Sequence, residues 1–207
     1  MRVISFVTQK GGSGKSTLVF CCAVAAEEKG KRVLILDIDP QGTLTAWYKD
    51  RDAKTPVLAS IKSSELTEAI TKAKNSAFDL VFIDTPGRDE PGTANAIRVA
   101  DLCIIPCRPT PGDMKATPPT AETINRLKKN AAFVLTQTAP RGKRNSEAEK
   151  GLSMLGMVCP HYIASRNAYQ DAQGVGLGVT EFEPDGKAAQ EIRDLWTWIS
   201  KKLEKIS

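Results

Sequence analysis

The sequence predicts a doubly wound α/β fold: one mostly parallel sheet with helices on both faces. Three observations predict it. Short, almost continuous apolar runs alternate with helical patterns along all 207 residues, and strands buried on both faces read that way. A glycine-rich turn joins the first apolar run to the first helical pattern. Acidic residues stand at the ends of the second and third apolar runs, where an open α/β sheet gathers its ligand chemistry.

The elements follow in order. Residues 3–7 form an apolar strand, and the Ala-rich stretch 16–29 forms the helix behind the glycine turn. Strands at 33–37 and 80–84 each end in aspartate, with a helix between them at 64–74. Then come a helix at 93–99, a strand at 102–106, a helix at 121–129 and a strand at 132–135. A helix at 146–155, a weak strand at 157–159 and a long helix at 187–205 complete the set. The Pro-, Thr- and Gly-rich stretch 106–119 reads as an ordered surface loop, and 139–145 as a basic loop. With no repeat and no linker, residues 1–207 are expected to form a single domain.

Hydrophobic residues make up 41% and charged residues 26%, so a disordered or fibrous chain is excluded. No apolar run approaches the roughly 20 residues that span a bilayer, and the first residues carry no signal pattern. The five cysteines (Cys21, Cys22, Cys103, Cys107 and Cys159) are odd in number and scattered, which points to a reducing, cytoplasmic setting. Cys103 and Cys107 have no second cysteine pair and only His161 as a histidine in the chain, which argues against a zinc or iron–sulfur centre. The net charge of +5 is compatible with nucleic-acid contact without requiring it.

The segment Lys10-Gly11-Gly12-Ser13-Gly14-Lys15-Ser16-Thr17 carries the chemistry. Strand, glycine loop and helix are the context of a P-loop. Glycines let the backbone turn through positive φ and approach a phosphate closely, with loop N–H groups and the helix N-terminus facing the anion. Lys15 is placed to reach the β- and γ-phosphates, and Ser16 to ligate Mg²⁺. The ordinary motif asks for glycine five residues before Gly14, and Gln9 stands there. The loop carries an extra lysine, Lys10, at its head instead.

At this point the chain resembles the ParA/MinD family of deviant P-loop ATPases, most closely the small ParA type. The resemblance implies that Lys10 crosses a dimer interface to the partner's phosphates, a cation supplied in trans. Asp37-Ile38-Asp39-Pro40-Gln41 resembles the family's switch I and Asp84-Thr85-Pro86-Gly87 its switch II. Alternation puts Asp37 and Asp39 on one side of an extended chain. One then serves the metal shell and the other the attacking water, a role the family gives Asp39; Mg²⁺ duty falls on Asp84 with Asp37.

The resemblance continues more weakly. Pro106, Pro109 and Pro111 match a proline loop that supports the dimer, Thr136 and Gln137 stand where the family contacts adenine, and 165–179 matches a late segment. The loop 87–91 is more charged than the usual switch II tail. The extra N-terminal DNA-binding domain of the larger ParA class is expected to be absent.

The long last helix carries Ile192, Leu195, Trp196, Ile199, Leu203 and Ile206 on one face, beside Lys201, Lys202 and Lys205. It reads as a closing helix packed on the sheet; an amphipathic membrane anchor is the alternative, with Trp198, off the stripe, as the residue favouring it.

The phosphate loop predicts binding of ATP with Mg²⁺, and the resemblance implies a slow ATPase stimulated by a partner. The resemblance implies an ATP-bound homodimer, non-specific DNA binding at the nucleoid, a small ParB-like adaptor and the partition of plasmid or chromosomal DNA. Candidate DNA contacts are Arg166, Arg193, Lys201 and Lys202, with Arg141, Lys143 and Arg144 further choices. Three alternatives stay open: a MinD-like membrane-cycling ATPase, a positioner of protein cargo, and a P-loop ligase of the dethiobiotin synthetase type, which would leave Lys10 without a purpose.

Overall fold

A computed structural model describes residues 1–87, 91–139 and 143–206. The strands β1 (Arg2–Phe6), β2 (Val33–Asp37), β3 (Val57–Ser60), β4 (Leu80–Asp84), β5 (Leu102–Cys107), β6 (Asn130–Leu135) and β7 (Met157–Val158) form one sheet. Their order is β3-β2-β4-β1-β5-β6-β7, and every pairing is parallel. From β1 the chain travels outward to β2 and β3, returns through β4, then continues on the other side through β5 to β7. That reversal opens a crevice at the C-terminal ends of the strands beside β1. The register sets Phe6 and Asp37 each directly opposite Asp84, so two strand-end carboxylates are neighbours across one ladder.

Ten helices among the described residues connect or cover the strands: α1 (Lys15–Glu27), α2 (Thr43–Lys49), α3 (Leu66–Asn75), α4 (Pro91–Val99), α5 (Pro111–Ala116), α6 (Pro118–Arg126), α7 (Arg144–Ser153), α8 (Asn167–Gly174), α9 (Val179–Phe182) and α10 (Lys187–Glu204). On one face Ile4, Phe6, Ile35 and Phe82 pack with α1, α2 and α8 to α10. On the other, two adjoining clusters run through α3 and α4 and through α6 and α7. Helix α1 is apolar nearly all round, from Leu18 to Ala26, because it lies between the sheet and α9–α10.

Helix α10 is one-sided. Ile192, Leu195, Trp196, Ile199 and Leu203 are buried against the sheet face, with the Trp196 ring 5.9 Å from that of Phe82. Trp198 packs partly buried on the same cluster, with Lys202 5.1 Å above its ring. The apolar stripe therefore closes the core instead of facing outward. Among the described residues no helix is long and apolar enough to cross a membrane.

The stretch 106–119, expected to be a loop, is mostly ordered structure: Pro106 and Cys107 finish β5, Pro111 opens α5 and Pro118 opens α6. Thr110 caps α5, its Oγ1 accepting from the Asp113 N–H at 3.2 Å, and proline at the first helical position lacks only a donor that would have had no partner. Strand β3 and helices α2, α8 and α9 went unpredicted. They are short, and β3 is a four-residue edge strand exposed at both ends.

Candidate nucleotide site

The glycine loop turns from β1 into α1 through Gly12 (φ 75°) and Gly14 (φ 87°), backbone that side-chain-bearing residues resist. Its outer surface is braced from β6. Thr136 Oγ1 donates to the Ser13 carbonyl at 2.8 Å and Gln137 Nε2 to the Gly12 carbonyl at 2.7 Å. With those carbonyls held outside, the loop's N–H groups are left for an anion at the start of α1. Gly11 to Thr17, Asp39, Pro40, Gln41, Thr43, Pro86 and Gly87 enclose a cavity of about 640 Å³. A Cβ on Gly87 would stand 3.1 Å from Gly11 Cα, a tight contact, so glycine lets the segment after β4 lie close against the loop.

Ser16 Oγ donates to Asp84 Oδ2 at 2.6 Å. Asp84 is fully buried, and its Oδ1 has no hydrogen-bond partner. Burial pushes its carboxyl up to about 7, against the opposing pull of Lys15 and the Ser16 hydroxyl. An orphaned buried carboxylate oxygen beside a serine hydroxyl fits a hard divalent cation: both are the oxygen donors Mg²⁺ takes, and the metal would satisfy what the protein leaves open.

Asp37, expected to share metal duty, stands directly opposite Asp84 and has a hydrogen bond on each oxygen. Its Oδ1 accepts from the Asp39 N–H at 3.0 Å and its Oδ2 from Thr45 Oγ1 at 3.1 Å. Both oxygens fasten the turn between β2 and α2, and burial raises its carboxyl above the ordinary value. Asp39 is half-buried on the cavity wall, its Oδ1 accepting from the Gln41 N–H at 3.0 Å.

Lys10 does not line this cavity. Its Nζ lies 3.3 Å from Asp113 Oδ2, and its side chain is 38% exposed. Asp113, 3% exposed, also accepts from Arg108 Nε at 2.9 Å and from Thr110 Oγ1 at 2.5 Å. Burial alone would raise its carboxyl; the hydrogen bonds from Arg108, Thr110 and Lys10 outweigh it and hold the group below its ordinary value. Arg108 and Asp113 escaped the sequence reading. The Thr110-Pro111-x-Asp113 spacing was the available signal, since it is a helix start.

Thr136 and Gln137 also line a second, smaller pocket of about 140 Å³ with Gly14, Thr17, Ile163, Arg166 and Tyr169, beside the glycine loop, where a base could follow the phosphates. Arg166 is held there: its Nε and NH2 meet Glu191 Oε1 at 3.0 and 2.5 Å, while Glu191 Oε2 accepts from Tyr169 OH and the Ala164 N–H. Arg193 reaches the Pro184 carbonyl and Glu28. Of the candidate DNA contacts, Lys201, Lys143 and Arg144 are exposed, and Arg141 and the charged positions 88–90 lie outside the described residues.

Fold and site together define a P-loop nucleotide hydrolase with an added lysine at the head of its loop. A family model described as an AAA domain matches residues 1–77. The maintenance of carboxysome distribution protein A of Halothiobacillus neapolitanus is 31% identical over 198 residues, 90% of each chain. The chromosome-partitioning ATPase Soj of Thermus thermophilus is 29% identical over 135 residues, 51% of this chain and 54% of that one. The septum site-determining protein MinD of Pyrococcus horikoshii, solved with Mg-ADP, superposes with a TM-score of 0.80 at 19% identity, covering 100% of this chain and 98% of that one. The chain belongs to the ParA/MinD family of P-loop ATPases.

Proposed function

We propose that this chain is a ParA-type positioning ATPase whose ATP-bound form is a homodimer. The observation that carries the reading is Lys10: it heads the phosphate loop, stays off its own cavity wall and rests on Asp113 at a partly exposed rim. A lysine so placed is free to serve a second copy, the trans role that the resemblance gives it. The loop N–H groups and Lys15 would hold the phosphates, Ser16 and Asp84 would hold the metal, and Asp39 would orient the attacking water. Magnesium, when bound, neutralises charge building between the β- and γ-phosphates. Asp37 would act by fixing the turn that carries Asp39.

The closed dimer would bind DNA without sequence preference and release it when a small ParB-like adaptor stimulates hydrolysis, a cycle that partitions plasmid or chromosomal DNA. The name of the Soj relative supports that cargo. A second reading, a protein cargo carried over the same DNA, is favoured by the 31% identity to a carboxysome distribution protein. Light scattering on an Asp39→Ala variant in saturating Mg-ATP tests the common core. Twice the chain mass is expected; a monomer would refute the dimer.

A further inference from the structure

The turn between β5 and α5 brings a second cation to the phosphate loop. Arg108 directly follows the last residue of β5, and its NH1 lies 3.7 Å from where a Cβ on Gly12 would stand. Its Nε is fixed on Asp113 Oδ1 at 2.9 Å, while NH1 and NH2 have no hydrogen-bond partner among the described residues. The side chain is 26% exposed and Asp113 only 3%. One edge of a planar guanidinium is thus anchored to a buried carboxylate. The other edge, carrying its free donors, lies against the loop whose N–H groups receive phosphate.

Charge points the same way. Lys10 and Arg108 share the single carboxylate of Asp113, so the cluster carries one positive charge that nothing in it balances. An arginine needed only to staple α5 would be satisfied by that pairing and would have no reason to lie over Gly12. A guanidinium with open donors at an anion cradle matches phosphate oxygens in shape as well as charge.

We infer that Arg108 is a further phosphate ligand, contacting the polyphosphate of the nucleotide bound to its own chain from outside Gly12. Asp113 is its positioning residue. The inference rests on the nucleotide site described above, and the test separates the two.

The test is calorimetry of Mg-ADP binding to monomeric protein, where no second copy contributes. Arg108→Ala is expected to weaken binding by about tenfold to a hundredfold, the range of a hydrogen bond to a charged group, and Arg108→Lys to recover part of the loss. Asp113→Asn should weaken binding less, and the Arg108→Ala/Asp113→Asn double variant should bind no more weakly than Arg108→Ala, because Asp113 acts here through Arg108. Thermal melts identify any variant that fails to fold, and Arg108→Lys then stands in for Arg108→Ala with a loss of several-fold expected. Affinity within twofold of the parent in a folded Arg108 variant, while Lys15→Ala abolishes binding, would overturn the assignment of Arg108. Binding that survives Lys15→Ala would overturn the nucleotide site itself, and the role of Arg108 with it.

Discussion

Ser16 Oγ and Asp84 Oδ2 are 2.6 Å apart, bonded across 68 residues of sequence from the head of α1 to the end of β4. The bond satisfies one oxygen of a carboxylate whose other oxygen is buried without a partner. Without a cation, that carboxylate is costly to ionise.

A pH dependence follows. Burial lifts the Asp84 carboxyl from 3.8 to about 7 in the folded protein, so between those values the native state holds a proton that the unfolded chain has lost. Its contribution to stability is therefore present at low pH and is lost as pH rises from about 4 through 7. Thermal melts in chelator, without nucleotide, should show Asp84→Asn gaining stability over the parent at pH 8 by on the order of a few kcal/mol, and little at pH 4. A parent and variant that melt with the same pH profile would show that the burial of Asp84 costs nothing.

Asp39 should serve turnover and leave binding alone. It stands on the cavity wall without a part in the glycine loop. Steady-state phosphate release by Asp39→Ala is expected to fall at least tenfold, with Mg-ATP affinity within a few-fold of the parent. Turnover at the parental rate would move the water-orienting role elsewhere. Asp37 is a poor substitute, because both its oxygens are engaged with Asp39 and Thr45; Asp37→Asn should lower the melting temperature.

Lys10 should matter between copies only. Lys10→Ala is expected to bind Mg-ADP as the parent does, since the Lys10 ammonium is engaged with Asp113 whereas Arg108 keeps NH1 open beside Gly12, and to stay monomeric in Mg-ATP. Sedimentation of the two proteins side by side checks both halves. A Lys10→Ala protein that dimerises with ATP as the parent does would remove the trans role.

The phosphate loop, both aspartate-tipped strands and the last helix could be read because each has a local signature: glycines before a helix, a carboxylate closing an apolar run, a 3.6-residue apolar stripe. Strands β2 and β4 fall where the sequence puts them, at Val33–Asp37 and Leu80–Asp84, since burial on both faces makes each a continuous apolar run closed by its aspartate. What local pattern could not give was partnership. Nothing near Asp37 in the sequence says that Thr45 would take its free oxygen, and nothing near Lys10 says that Asp113 would hold it. The Asp37–Thr45 pairing forms within the turn from β2 to α2, whereas the Lys10–Asp113 pairing exists only because parallel crossovers bring the ends of β1 and β5 side by side. Helix α5 was hidden differently: its prolines suggest a loop until the cap at Thr110 is recognised.

Control of DNA binding by the nucleotide state is measured by fluorescence anisotropy. The Asp39→Ala protein, held in Mg-ATP, is titrated against several unrelated duplexes, with the parent in Mg-ADP and anionic liposomes run in parallel. Tight binding to every duplex is expected in ATP and much weaker binding in ADP, with affinity falling by roughly a few orders of magnitude between 50 and 200 mM salt if six or more phosphates are engaged. Replacing Lys201 together with Lys202 should weaken all duplexes alike. Binding to liposomes without binding to DNA, or equal DNA binding in ATP and ADP, would contradict that control.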